Sequence, residues 1–63
     1  MAETLVSGRQ AVRRRDWSEA LQAFNEADQE DGLSPQDLQL LAEAAWWSGR
    51  PDDAVEALER AYA

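Results

Sequence analysis

Apolar residues recur along the whole chain at intervals of three and four, and no stretch alternates as a half-buried strand does. This spacing predicts four helices, near residues 3–14, 17–29, 35–48 and 51–62. Helix by helix, the residues predicted to be buried are Leu5, Gly8, Ala11 and Val12; Trp17, Ala20, Leu21, Phe24 and Ala27; Leu38, Leu41, Ala42 and Ala45; and Ala54, Val55, Leu58, Ala61 and Tyr62. The pattern indicates an all-α fold of two helix-turn-helix hairpins.

Residues at the segment boundaries support these helices. Asp16 and Ser34 are each followed three residues later by an acid, a pairing typical of helix N-termini. Pro35 and Pro51 fall at first helical positions, where the missing amide costs nothing. Asp31-Gly32 marks a break between the two helix pairs, and Gly49 can end a helix in a left-handed conformation.

The second half of the chain repeats the first. A shift of 34 residues places small residues on small ones and large apolar residues on large ones. The coincident pairs are Gly8 with Ala42, Ala11 with Ala45, Ala20 with Ala54, Leu21 with Val55, Ala23 with Ala57, Phe24 with Leu58 and Ala27 with Ala61. Two-helix units of this length predict a short α-solenoid, with repeat one at about residues 1–33 and repeat two at about residues 34–63.

These residues resemble the tetratricopeptide repeat. Its second-helix pattern of alanine, three residues and a large apolar residue appears as Ala20 with Phe24 and again as Ala54 with Leu58. The chain departs from the motif where Thr4 and Leu38 replace the tryptophan, where alanine replaces both tyrosines and where Gly32 replaces the closing proline. The resemblance implies a module that binds a protein or peptide.

In that family the concave, ligand-binding face is formed by the first helix of each pair. The resemblance therefore assigns partner binding to the residues at matching positions, which are Leu5, Arg9, Val12 and Arg13 in repeat one and Gln39, Glu43, Trp46 and Trp47 in repeat two. Tryptophan and arginine are also the residue types most enriched in binding hot spots.

The paired tryptophans have two interpretations. On a helical wheel Trp46 lies about 80° and Trp47 about 180° from Leu38, so Trp47 points away from the predicted core and shares a stripe with Leu40. Either the neighbouring helix pair covers Leu40 and Trp47, with Trp46 at the core edge, or at least one tryptophan lies on the binding surface.

Residues 41–63 also resemble the N-terminal repeats of large bacterial regulators, which precede a LuxR-type helix-turn-helix or a nucleotide cyclase domain. The tryptophans before Gly49-Arg50 and the closing Glu59-Arg-Ala-Tyr62 carry this likeness. It implies the N-terminal part of a cytoplasmic signalling or transcriptional regulator. The alternative is a structural segment of a nucleotide cyclase or other multidomain enzyme, with no site of its own.

The apolar face of the last helix continues to Tyr62 without a polar cap. This pattern predicts either a longer protein or self-association into a homodimer, because an exposed apolar face at the end of a solenoid favours association. The residues expected at such a contact are Leu40, Trp47, Leu58 and Tyr62.

Composition narrows the chemistry. The 63 residues suffice for one small domain, and six basic against 13 acidic residues give a net charge of −7, which disfavours nucleic-acid binding. Arg13, Arg14 and Arg15 suit a helix C-terminus better than an anion site. No cysteine or histidine is present, which removes the usual nucleophile, base and metal ligands. We therefore expect no enzyme activity and no cofactor.

Two further kinds of site are not expected. The acids near residues 26–31 lack the spacing of a calcium loop, so no metal is predicted. No apolar run approaches 18 residues and no basic leader precedes an apolar stretch, so we expect neither a membrane span nor a secretory signal.

Overall fold

The computed structural model describes residues 2–63, which form four helices: α1 (Ala2–Arg13), α2 (Trp17–Asp31), α3 (Pro35–Trp47) and α4 (Pro51–Ala61). The predicted all-α class is confirmed, and each predicted boundary lies within two residues of the observed one. Within residues 2–63, no helix is both long and apolar enough to cross a membrane.

The predicted start signals of α2 and α3 are confirmed. A side-chain oxygen of Asp16 accepts a hydrogen bond from the backbone N–H of Glu19 at 3.3 Å. The hydroxyl of Ser34 accepts one from the backbone N–H of Asp37 at 3.2 Å. Each bond satisfies an amide that the first turn leaves without an intrahelical partner. Prolines stand at the first positions of α3 and α4, as predicted.

Three of the residues that the structure describes have a positive φ, a region that favours glycine. Gly32 and Gly49 each have φ of 77°, which glycine adopts without steric cost. Arg15 has φ of 59° in the turn between α1 and α2. Arg15 and Gly49 are 34 residues apart and occupy the same place in their repeats, so only repeat one holds a non-glycine residue in this conformation.

The helices pack as two hairpins, α1 with α2 and α3 with α4, and α3 joins them by packing mainly on α2 and to a lesser extent on α1. Small residues let the helices approach: Ala11, Ala20, Ala44 and Ala45 are fully buried. Phe24 is the largest fully buried side chain among the described residues. The core therefore centres on α2 and α3.

Gly8 allows α1 to approach the ring of Phe24 closely. A Cβ atom at Gly8 would lie 3.1 Å from two ring carbons of Phe24, closer than ordinary van der Waals contact. At the equivalent positions of repeat two, Ala42 accompanies the smaller Leu58. The smaller residue of one helix is thus matched by the larger residue of the other in both repeats, Gly8 with Phe24 and Ala42 with Leu58.

The predicted buried face of α4 is wrong in part. Ala54 is buried as expected, and Ala57 is buried where no burial was predicted. Val55 and Tyr62 are exposed, and Leu58 retains 39% of its accessible surface. The reason is that α4 meets α3 through its alanines, which leaves its larger apolar side chains on the side away from the first hairpin.

Candidate functional site

The contact of α3 with the first hairpin includes an ion pair with a nearly buried carboxylate. The Nε of Arg9 donates to Oδ1 of Asp37 at 3.1 Å, and Nη2 donates to Oδ2 at 2.9 Å. The hydroxyl of Ser34 donates to the same Oδ2 at 3.0 Å. The side chain of Asp37 is only 5% exposed, so these donors offset the cost of removing a charge from water. The pair fixes the position of α3 along α1.

The two hydrogen bonds also stabilise the charged form of Arg9. Its hydrogen bond to Asp37, followed by the charge of that carboxylate, raises the pKa of Arg9. Arg9 was predicted to bind a partner, and the structure places its guanidinium on α3 of the same chain.

At the other end of α3, Trp47 stacks on Trp17 of α2. The ring centroids are 6.3 Å apart and the planes differ by 22°. Trp47 nevertheless remains 61% exposed, and Leu40 is half-buried against the core. The neighbouring hairpin thus covers this side of α3 only in part.

The residues of α3 that face the first hairpin follow a helical stripe. Asp37 and Trp47 contact it directly, and Leu41 lies beside Leu21 of α2. The stripe has the spacing of positions i, i+3, i+4, i+7 and i+10. We call it the docking stripe: it consists of Asp37, Leu41 and Trp47, together with Leu40 and Ala44, which helical spacing places on the same face and which lie in or against the core.

A second bidentate ion pair joins the two hairpins. Arg60 of α4 donates through Nη1 and Nη2 to the two carboxylate oxygens of Asp28 in α2, at 2.8 Å each. The hydrogen bond from Arg60 lowers the pKa of Asp28, with burial opposing and the charge of Arg60 assisting. Asp28 is thus engaged by an arginine, in the acidic segment that the sequence analysis considered for metal.

A mainly apolar concavity lies between α3 and α4 on the side away from the first hairpin. It has a volume of about 240 Å³. Trp46 is 59% exposed at its rim, and the Nε2 of Gln39 donates to the hydroxyl of Tyr62 at 3.1 Å beside it. We call it the α3–α4 groove, and it is lined by Gln39, Ala42, Glu43, Trp46, Ala54 and Leu58.

Each residue of this groove has a counterpart 34 positions earlier. These counterparts form what we call the α1–α2 groove, which consists of Leu5, Gly8, Arg9, Val12, Ala20 and Phe24. α3 covers that groove: Arg9 binds Asp37, and Phe24 is fully buried in one cluster with Leu38 and Leu41. The alanines Ala42 and Ala54 are buried as their counterparts are, but Phe24 is fully buried where Leu58 is exposed, and Val12 is half-buried where Trp46 is exposed.

The structure places the predicted site residues in the two grooves and on the docking stripe, with Arg13 apart from all three. Gln39, Glu43 and Trp46, together with Leu58 from the residues expected at a self-contact, line the α3–α4 groove, and Tyr62 lies next to it. Leu40 and Trp47 belong to the docking stripe, and Arg9 and Val12 to the α1–α2 groove. Arg13 is exposed in the last turn of α1.

The ion pair of Asp37 was not predicted from the sequence, where this residue had a role only at the start of α3. Ala42 and Ala54 were predicted only as core residues, whereas both line the α3–α4 groove as well. The sequence did contain a signal for the contact of Arg9 with Asp37. Aligning the two repeats pairs Glu43 with Arg9, so the charge is inverted at a position that in repeat one contacts the next helix.

Two helical hairpins stacked through the first helix of the second pair define a helical-repeat protein. The sequence profile of the tetratricopeptide repeat family matches residues 11–62. The chain belongs to this family, whose repeats generally mediate protein–protein interaction. Searches among curated proteins and among solved structures found no match.

Proposed function

We propose that this chain is a protein-interaction module whose α3–α4 groove binds an amphipathic helix of a partner protein. The observation that carries the proposal is internal to the chain. The α1–α2 groove, built from the equivalent repeat positions, binds α3, which is itself an apolar helix. The equivalent positions of repeat one thus already hold a helix, which supports the proposal that those of repeat two hold one as well.

Exposed apolar side chains support the α3–α4 groove as the binding site. Among the exposed large apolar side chains, Trp46 and Leu58 line the α3–α4 groove and Tyr62 lies beside it, whereas Val6 and Trp47 are exposed elsewhere. Aromatic residues around a shallow apolar pocket are typical of interaction sites. A groove of about 240 Å³ is below the usual size of a small-molecule site and suits a few side chains of a helix.

We further propose that the module is not catalytic. The sequence has neither histidine nor cysteine. Every acidic residue that the structure describes is exposed except Asp28, which is half-buried, and Asp37, which is buried. An arginine binds each of these two. An acid held in this way is poorly placed to move protons for a substrate.

The setting that we propose is a cytoplasmic bacterial regulator of signalling or transcription. Its support is the resemblance of residues 41–63 to the N-terminal repeats of such proteins. We do not propose nucleic acid as the partner, since the second repeat carries most of the acidic excess.

The test uses a fluorescein-labelled peptide of residues 34–48, which contain α3, with Asp37 replaced by Asn. We call it the neutral peptide. We expect it to bind the 63-residue chain, measured by fluorescence anisotropy, and we expect Leu58→Glu to weaken binding at least about tenfold, because a charge would be buried in the groove. Trp46→Ala provides a second groove variant, and Val6→Glu, on an exposed face of α1, is the matched control.

Circular dichroism must show that each variant remains helical. No binding to the wild-type chain, or equal loss in Val6→Glu and Leu58→Glu, would contradict the proposed function. Sedimentation equilibrium on the chain alone tests the homodimer. A dimer that Leu58→Glu dissociates would make a second copy, rather than a partner helix, the occupant of the groove.

A further inference from the structure

We propose that the helix bound by the α3–α4 groove carries an arginine or lysine in its first turn that pairs with Glu43. Apolar residues follow at three and four positions after that basic residue, and a small residue follows at seven. The inference rests on the proposed function and adds the register and charge of the partner helix.

The register comes from the contact of α3 with the α1–α2 groove. There Arg9 reaches from the groove to Asp37, in the first turn of α3, with two hydrogen bonds. Leu40, Leu41 and Ala44 follow at the stated intervals on the docking stripe. A helix seated in the same way in the α3–α4 groove would place its first-turn residue opposite Glu43, because Glu43 occupies the position of Arg9.

In the second groove, the sign of the charge and the length of the side chain are swapped between the groove and the docked helix. In the first, a long cation in the groove meets a short acid on the docked helix. In the second, the groove supplies the shorter acid, Glu43, which is exposed and lines the concavity. A long basic side chain on the docked helix would therefore span a similar distance with the signs reversed.

This requirement is selective. Cations are disfavoured in the first turn of a helix, where the helix dipole favours anions. Most amphipathic helices would therefore not meet it by chance.

A second copy of the chain does not fit the same requirement. If α1 of another copy extended the solenoid, Glu3 would take the place of Asp37 and would meet Glu43 with the same charge. Ser7 and Gln10 would then stand where the docking stripe has Leu41 and Ala44. Val6, at the position of Leu40, is the apolar match, but the charge of Glu3 and the polarity of Ser7 and Gln10 disfavour this arrangement and favour a different protein as the occupant.

The test compares two labelled peptides of residues 34–48. One keeps Asp37 (the Asp peptide), and the other replaces it with Arg (the Arg peptide). We expect the Arg peptide to bind the wild-type chain about three to ten times more tightly than the Asp peptide, the effect of a partly exposed ion pair. In Glu43→Arg the preference should invert. Glu26→Arg, on an exposed position of α2, makes the same change in net charge and should leave the preference in place.

The outcomes separate the two proposals. Equal affinity for both peptides, with binding still lost in Leu58→Glu, would overturn the charge pairing and leave the groove function standing. A preference that Glu26→Arg reverses as well as Glu43→Arg would attribute it to net charge and would also overturn the pairing. Failure of every peptide to bind would contradict both proposals.

Discussion

The two helix pairs use the same positions for different purposes. In the first pair, α3 covers the groove, and Phe24 has no accessible surface. In the second, Leu58 at the equivalent position is 39% exposed, and Trp46 is 59% exposed where its counterpart Val12 is half-buried. Apolar residues at these positions thus become core or surface according to whether a further helix lies over them.

The most damaging substitution should be Phe24→Ala, set against Leu58→Ala. Truncating a fully buried phenylalanine costs about 3–5 kcal/mol, which approaches the whole stability of a domain this small. Leu58 already has part of its surface in water, so its truncation should cost about 1 kcal/mol. Urea denaturation followed by circular dichroism measures both. Equal losses would mean that the two grooves are covered to the same extent in solution.

A smaller effect is expected from Gly8→Ala. The new Cβ would press on the ring of Phe24, and overpacking of this kind costs about 1–3 kcal/mol against a gain of about 1 kcal/mol in helix propensity. In a Phe24→Leu background, which copies the pairing of Ala42 with Leu58, the same change should stabilise the chain by about 1 kcal/mol. A double-mutant cycle by urea denaturation tests this explanation. Additive effects of Gly8→Ala and Phe24→Leu on the free energy of unfolding would contradict it.

The turn inside each hairpin contains Arg15 in repeat one and Gly49 in repeat two. Substitutions at these positions should change the free energy of unfolding by a similar or smaller amount than Gly8→Ala. Arg15→Gly should stabilise the chain by about 1 kcal/mol, because it removes a left-handed non-glycine residue. Gly49→Arg should cost about as much. Arg13→Gly, inside α1, is the control and should destabilise by about 0.5–1 kcal/mol. Thermal melts would contradict this explanation if Arg15→Gly lowered the melting temperature.

The smallest effect concerns the ion pair between the hairpins. The folded-state pKa of Asp28 is lowered, so the pair stabilises the fold above the ordinary pKa of the carboxyl and loses this effect as pH falls through the lowered value. Asp28→Asn should therefore cost about 0.5–1 kcal/mol at pH 7 and progressively less in acid.

Urea midpoints measured between about pH 7 and pH 2.5 would show that convergence. Glu59→Gln, a neighbouring exposed acid outside the pair, is the control. A gap between wild type and Asp28→Asn that stays constant across the range would show that charge is not the cause.

Much of the fold could be predicted because its signals are local. The capping of Asp16 and Ser34 and the two prolines define where helices begin, and the 34-residue repeat defines how they pair. The burial of α4 could not be predicted in the same way. Periodicity identifies an apolar face, but it does not say which part of that face another helix covers, and so Val55 and Tyr62 were assigned to the core.

The candidate site was predictable in part. Gln39, Glu43 and Trp46 were singled out through the family resemblance, and the structure brings them to one groove. The α4 wall of this groove was not predicted, because Leu58 was assigned to the core and to a self-contact, and Ala54 to the core. The bond between Arg9 and Asp37 joins residues 28 positions apart, and no local pattern announces such a contact.

The stacked rings of Trp17 and Trp47 also provide an optical reporter. Two indoles 6.3 Å apart couple their electronic transitions, and the resulting exciton signal in circular dichroism depends on the distance and angle between them. One ring belongs to the first hairpin and the other to the second, so the part of the signal that Trp17 contributes reports their docking, whereas coupling between the adjacent Trp46 and Trp47 arises within α3. Spectroscopy of the unlabelled chain could therefore distinguish hairpins that separate while still helical from helices that melt.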